Sequence, residues 1–430
     1  MLGLTAVGNL IVRTGSSMLM TRLLTPYDFG IVGIITAIFF AVTLVTDLGF
    51  EQFVVRHERT EDKHFLDVIW TIHVKRGVLS FIAVAAASPL IAAGFGKPVL
   101  TLPLAVASLY FLINGFGSLS LSTALRNDKA RQLSLFDFAL QIFQTASGLL
   151  LAWWWRSAWA IIAAILLHTA FRVVLSYRLF PRSAHRVAND RSISREFFAF
   201  SRVVLMSSLL TLMIGQSDKL VLGRLFTLSE FGLYGLALTI ASAPTSFADS
   251  YLRRIAFPVY AQSWRGYPAA LPGLYYAVRR LPSLLYAFAC GGLIGSAPLL
   301  VALLYDPRYA AAAALISWLM LATALRLPTF AAAELLTAIG QVKGTLRLNF
   351  VRLLWLAASI PLGFFTFGAI GVVAAVGLVE APTMLVSWIL LRKFNMLNLR
   401  EEFLYLGLVA AGAAIGYVGT TEILHLFPRL

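Results

Sequence analysis

Thirteen long, continuous apolar stretches dominate this chain, at 2–23, 29–55, 68–95, 98–123, 134–155, 158–179, 197–226, 230–252, 281–305, 310–339, 345–368, 370–391 and 403–427. Crossing a bilayer as an α-helix takes about 20 apolar residues, and in hydrocarbon only helices and closed barrels satisfy their own backbone hydrogen bonds. Each stretch meets that length. The composition agrees, with 59% apolar and 13% charged residues, about half the charged share of a soluble domain, and a mean hydropathy of +0.81. A soluble enzyme is excluded by that balance. A β-barrel is excluded by the continuity of the runs, because barrel strands alternate over ~10 residues. The expected fold class is an all-α polytopic membrane protein with 12–14 transmembrane helices.

Lysine and arginine set the orientation. With the N-terminus inside, the even-numbered connections and adjoining helix ends hold 23 basic residues, including Arg56, Arg126, Arg182, Arg253, Arg254, Arg279 and Arg280; the opposite side holds six. Cytoplasmic connections carry such an excess, so the N-terminus is expected inside and Leu430 outside. The N-terminal stretch has no basic leader and no cleavage site, and reads as a retained span. The formal charge of +15 is thereby explained without nucleic acid as a partner. The connection 253–280, with FPVYAQSW and several prolines, is expected to lie along the membrane interface.

A repeat organises the chain. Shifting by 202 residues aligns Arg22–Asp47 with Arg224–Asp249, and ten of 26 positions are identical without a gap, among them Arg22/Arg224, Thr25/Thr227, Gly30/Gly232 and Asp47/Asp249. The shift spans six helices, so equivalent helices keep their direction and the repeat is parallel, about an axis along the membrane normal. Two six-helix lobes, 1–180 and 196–393, are expected around a basic cytoplasmic linker at 181–195, with one additional helix at 402–428. This is the organisation of an alternating-access transporter.

Charge inside a span costs about 2.5–3.5 kcal/mol on the mildest scale, so such residues face protein or water. Span 1 carries Thr5, Asn9, Arg13 and Ser17 at four-residue steps, one polar stripe. Arg13 reads either as a cavity cation for an anionic substrate or as a salt bridge, for instance to Asp47. Arg172, Arg326 and Arg352 are further candidates for anion contact, with Asn9 beside Arg13. Pro328, two residues after Arg326, suggests a broken, cavity-lining helix. Asp47, Asp218, Lys219, Asp249 and Glu380 are candidates for gating or ion coupling; Asp218 and Lys219 point about 100° apart and need separate partners. Glu334 also lies within a span. The small-residue pairs Gly291/Gly295 and Gly412/Gly416 permit close helix packing.

No P-loop sequence is present, no outside connection is long enough for a catalytic site, and the histidines show no HxxxH or HExxH spacing. The single Cys290 allows neither an intrachain disulfide nor a cysteine metal cluster. The protein is expected to be no enzyme and to hold no cofactor, apart from a coupling proton or sodium ion.

RLLTPYDFGIVGIITAIFFAVTLVTDLGFEQFVVR after the first span, QSDKLVLGRLFTLSEFGLYGLA at Gln216–Ala237, LLYDPRYAAAAALISWLMLAT and LTAIGQVKGTLRLNF together resemble the Wzx-type polysaccharide biosynthesis flippases. These form the polysaccharide-transporter branch of the multidrug/oligosaccharidyl-lipid/polysaccharide superfamily. The resemblance implies that a polyprenyl-diphosphate-linked oligosaccharide is turned across the bacterial inner membrane for O-antigen, capsule or exopolysaccharide assembly. It implies a cationic cavity for the diphosphate, with Arg13 carried over first and Arg172, Arg326 and Arg352 after it. Membrane lipids and other polysaccharide assembly proteins would be the partners. The alternative is a multidrug or cation antiporter of the same superfamily, for which an acid-dominated cavity would be expected.

Overall fold

The computed structural model describes residues 15–46, 48–126, 130–180 and 184–426. The helices are α1 (15–23), α2 (Pro26–Thr46), α3 (Phe50–Arg56), α4 (Lys63–Phe95), α5 (Thr101–Ala107), α6 (Leu109–Gly115), α7 (Ser120–Arg126), α8 (Ala130–Trp155), α9 (Ala158–Leu179) and α10 (Arg191–Leu225). They continue as α11 (Leu228–Tyr251), α12 (Phe257–Gly266), α13 (Leu271–Leu304), α14 (Ala312–Ala338), α15 (Val342–Gly377), α16 (Glu380–Lys393) and α17 (Leu399–Leu426). Among the described residues there is no strand, and ten helical stretches are long and apolar enough to cross a bilayer. An eleventh is the bent pair Arg191–Met206 and Thr211–Leu225, which meet at 56° within the expected span 197–226.

The longest stretch, Val342–Lys393, has 52 residues, about 78 Å of helix against a core of ~30 Å. It therefore reverses. Gly368 sits at φ 63° and ψ −143°, a conformation open to glycine and closed to side chains. Past it, Gly371 lies backbone to backbone against Gly363, and Trp355 Nε1 donates to Ala375 O at 2.8 Å. The two arms are the expected spans 345–368 and 370–391. Counting both gives twelve crossing segments among the described residues; the expected first span, 2–23, is described only from residue 15.

The helix ends show why the polar punctuation falls where it does. The two copies of the repeat open with the same capping box. Thr25 donates from its N–H and hydroxyl to Asp28 Oδ2 at 3.0 and 2.6 Å, and Thr227 does so to Glu230 Oε2 at 2.8 and 2.9 Å. Asp62 caps α4 and Asp190 caps α10, each accepting backbone N–H groups. Those N–H groups, from Ile193 and Ser192, hold the Asp190 carboxyl below the usual carboxylate range. α11 does not stop at residue 252. It passes through a π-helical turn, Leu252–Ala256, into α12, a 39-residue helix in all. Part of the connection expected at the interface is thus helix, and Tyr260 and Tyr275 within it are fully buried.

Packing divides the chain into two compact units, Met1–Phe231 and Gly232–Leu430. In the first, α4 packs on α5, α6 and α10, while α2 packs on α9 and α10. α10, which follows the basic connection, belongs by contact to this unit. Phe53, Phe65, Ile69, Leu119 and Phe197 form a core around it. In the second unit α13 and α17 lie against each other along their length, and α14 packs on α13, α15 and α16. Gly291 and Gly295 face the α17 backbone, and Gly412 and Gly416 face that of α13. A Cβ at any of the four would overlap the partner helix, which is the close packing those spacings predict.

Candidate functional site

Four of the charged residues singled out in the sequence meet at mid-span in the second unit: Asp249 on α11, Arg326 on α14, Arg352 on α15 and Glu380 on α16. Arg326 is fourteen residues into the 27-residue α14, about 21 Å along a helix of about 40 Å and so near its middle. The four formal charges balance. Their pairings do not match in strength.

Arg352 and Glu380 form the tight pair. Arg352 Nε donates to Glu380 Oε1 at 3.0 Å and its Nη2 to Oε2 at 2.9 Å, the two-pronged geometry that guanidinium and carboxylate favour. Thr329 Oγ1 donates to Oε2 at 2.7 Å, and Asn349 Oδ1 accepts from Arg352 Nη1 at 2.9 Å. Both residues are buried, at 9% and 3% exposure. Glu380 opens α16, where the helix dipole favours a negative charge. Removing either partner would strand the other in a low-dielectric interior.

Arg326 and Asp249 form the loose pair. One contact joins them, Arg326 Nη2 to Asp249 Oδ2 at 3.4 Å, and each side chain is 35% exposed. Arg326 Nη1 stands 3.9 Å from Glu380 Oε1. Among the described residues Arg326 Nε and Asp249 Oδ1 have no hydrogen-bond partner. A charged pair at this depth faces protein or water and not lipid, and the pair is left partly exposed on α11 and α14.

The charged side chains continue toward the end predicted to be cytoplasmic. Arg253, one turn beyond Asp249, lies 3.7 Å from Glu334, and the guanidinium groups of Arg253 and Arg326 stand 5.2 and 5.5 Å from the Phe330 ring. Two arginines therefore flank one aromatic ring, each within cation–π range. Arg253 and Phe330 were not among the expected site residues. Arg253 was counted in a loop, because the apolar run ends at residue 252 while the helix does not.

The break expected at Pro328 is absent: α14 is continuous. Proline removes the donor that would serve the carbonyl four residues back. The Tyr405 hydroxyl of α17 donates to that carbonyl, Ala324 O, instead, and Tyr286 donates to Thr323 O at 2.9 Å. Two tyrosines thus supply hydrogen bonds to the turn that presents Arg326.

The other expected residues lie elsewhere. Asn9, Arg13 and Asp47 fall outside the described residues. In the first unit, Arg172 is exposed on α9 one turn after His168, Asp218 is buried in α10, and Lys219 beside it is half-buried. A second buried ion pair, Arg279 with Glu402, joins α13 to α17. It is enclosed by Tyr275 and Tyr276, and Trp388 donates to Glu402 Oε2 at 3.2 Å. Sealed in this way, it ties helices together.

Fold and site define a multi-pass, all-helical membrane protein with a charge cluster at mid-span. The chain belongs to the polysaccharide biosynthesis protein family, whose sequence profile matches residues 19–314. It is 20% identical over 377 residues to the lipopolysaccharide biosynthesis protein WzxC of Escherichia coli, covering 87% of this chain and 76% of that one. It is 21% identical to the teichuronic acid biosynthesis protein TuaB of Bacillus subtilis and 23% to the succinoglycan biosynthesis transport protein ExoT of Rhizobium meliloti. Those matches cover 51% and 57% of this chain and only 46% and 49% of those proteins, about half their length. Among solved structures, the lipid II flippase MurJ in an inward closed conformation matches with a TM-score of 0.73 at 11% identity over 97% of this chain and 91% of that one. An inward-facing multidrug resistance MATE family transporter of the MOP superfamily matches with a TM-score of 0.68 at 13% identity, over 92% and 95%. At such identities these likenesses speak for the fold, which is the one the sequence resemblance implies.

Proposed function

We propose that the protein flips a polyprenyl-diphosphate-linked oligosaccharide across the bacterial inner membrane by alternating access, for O-antigen, capsule or exopolysaccharide assembly. The observation that carries this reading is Arg326: a mid-membrane guanidinium, loosely held and open on one side, with Arg253 as a second cation along the same face. A diphosphate presents several acceptor oxygens and negative charges, which arginine recognises with paired N–H donors. The polyprenyl tail would stay in lipid while the headgroup follows this charged face. Family membership and the likeness to a lipopolysaccharide biosynthesis protein, a succinoglycan biosynthesis transport protein and a lipid II flippase support the substrate class.

In this reading Arg326 contacts the diphosphate, Arg352 positions it through Glu380, and Asn9, Arg13 and Arg172 are further contacts. Asp47, Asp218, Lys219 and Asp249 are the gating or coupling residues, with a proton or sodium ion as the coupling ion. The protein makes and breaks no covalent bond. Membrane lipids and other polysaccharide assembly proteins are its partners. The test is transfer of a labelled polyprenyl-diphosphate oligosaccharide in proteoliposomes, wild type against Arg326→Ala. Protein-dependent transfer that the variant loses by about tenfold or more, with an unchanged melting temperature, is expected. No transfer of such lipids alongside cation or drug antiport would overturn the reading and favour the antiporter.

A further inference from the structure

We infer that Asp249 is a built-in counter-anion which the substrate's diphosphate displaces from Arg326 on binding, and which reclaims Arg326 to drive the diphosphate off. The inference rests on the proposal that the substrate carries a diphosphate.

The argument is the contrast between two arginines that share one carboxylate. Glu380 accepts two hydrogen bonds from Arg352 and a third from Thr329, so its oxygens are committed. It can hold Arg326 only at 3.9 Å. The neutralisation of Arg326 therefore falls to Asp249, through a single 3.4 Å contact. An anion with better geometry can replace that contact. The Arg352–Glu380 pair cannot be opened in the same way without leaving a buried charge alone.

The unsatisfied atoms point to the same exchange. Asp249 Oδ1 and Arg326 Nε are both buried and, among the described residues, both without a hydrogen bond. A relaxed, permanent ion pair would turn to bring the second oxygen onto Nε, in the two-pronged form that Arg352 and Glu380 adopt a few ångströms away. At Arg326 that second bond is not made, and a phosphate oxygen can take Nη2 as Asp249 leaves it. Displaced Asp249 has a next cation in reach: Arg253 is one turn further along the same helix and engages Glu334 only at 3.7 Å. Asp249 can thus pass between Arg326 in the empty state and Arg253 in the loaded state. Because a ligand shifts such an equilibrium only by its differential affinity, Asp249 lowers substrate affinity and in return promotes release.

Binding of geranylgeranyl diphosphate to the purified full chain in detergent tests this, read by calorimetric titration beside a melting curve for each variant. Asp249→Asn is expected to bind the probe about five- to tenfold tighter than wild type, the gain from removing one loosely held competing anion. Asp249→Ser, which also removes the charge, is expected to do the same, and Asp249→Glu to restore wild-type affinity. In an Arg326→Ala background the Asp249→Asn gain should vanish. In proteoliposomes Asp249→Asn should bind lipid-linked oligosaccharide at lower concentration yet turn over more slowly. Unchanged or weaker probe binding in the folded Asn and Ser variants, or a gain that persists without Arg326, overturns the counter-anion while leaving the diphosphate site intact. Failure of the wild type to bind the probe overturns the substrate reading and the counter-anion with it.

Discussion

The mid-span cluster of the second unit and the polar edge of the first unit treat buried polar groups in opposite ways. In the second unit, formal charges meet in the core and cancel one another. In the first, the segment 184–196 crosses α3 and α4 with hydrogen bonds that leave its key imidazole neutral. His185 Nε2 accepts the Leu119 N–H at 3.2 Å and so carries no proton, while Nδ1 stands 3.6 Å from Asp67, which also accepts the Arg186 N–H at 3.1 Å. Ala188 N–H donates to Thr71, Lys75 reaches Asn189, and His57 and His64 meet Glu196 and Asp190 at 3.1 and 3.5 Å. The edge is a fixed clasp. The mid-span cluster, by contrast, keeps one pair locked and one pair open. Stability and availability are thus divided between two arginines within the same group.

The sharpest way to break the contrast is Glu380→Ala, which strands Arg352 in the core. An unfolding free energy lower by about 3–5 kcal/mol is expected, seen as a large fall in the detergent melting temperature; an unchanged melt would mean that Arg352 finds water. Next is His185→Ala, expected to cost about 1–3 kcal/mol because the Leu119 N–H and the facing Asp67 lose their partner, with faster amide exchange confined to 118–120 and 184–190.

The same histidine sets a pH dependence. Burial pushes its pKa down, outweighing the pull of Asp67 in the other direction. The unfolded chain therefore binds a proton more readily than the folded one. The stability it contributes is full above the unfolded value of ~6.5 and is lost as pH falls through the lowered folded value. A melting temperature that falls on acidification in wild type, and falls less in His185→Gln, would confirm the sign.

The repeat offers a finer comparison. Asp28 and Glu230 close equivalent capping boxes, but Asp28 is buried and its other oxygen accepts the Ala158 N–H at 2.8 Å, whereas Glu230 is exposed. Asp28→Ala should cost about 1–2 kcal/mol and Glu230→Ala about 0.5 kcal/mol. Equal losses would mean that the cap alone counts. A similarly small effect is expected for Arg326→Ala, whose one hydrogen bond is partly exposed and predicts under about 1 kcal/mol of stability, although transport should suffer.

Much of the site was legible in the sequence because charge in an apolar run stands out. Asp249, Arg326, Arg352 and Glu380 were each visible as residues that hydrocarbon does not tolerate alone. Their grouping was not legible, since they come from four helices, the first and last 131 positions apart, and one-dimensional spacing carries no interhelical register. Arg253 was missed because hydropathy marks where apolar residues stop, while a helix stops where its backbone hydrogen bonds do. The break read from Pro328 was wrong because tyrosines on α13 and α17 supply hydrogen bonds that no window around the proline contains.

By itself, the sequence determined the helical class, the twelve described crossings, the repeat with its paired caps, and the glycine faces of α13 and α17. Each follows from local physics: the length needed to cross a bilayer, a cap four residues long, a backbone with no Cβ. Tertiary structure alone decided which arginine is locked and which is open. That outcome depends on distances of 2.9 and 3.4 Å between side chains on different helices, and such distances are set by how the helices pack.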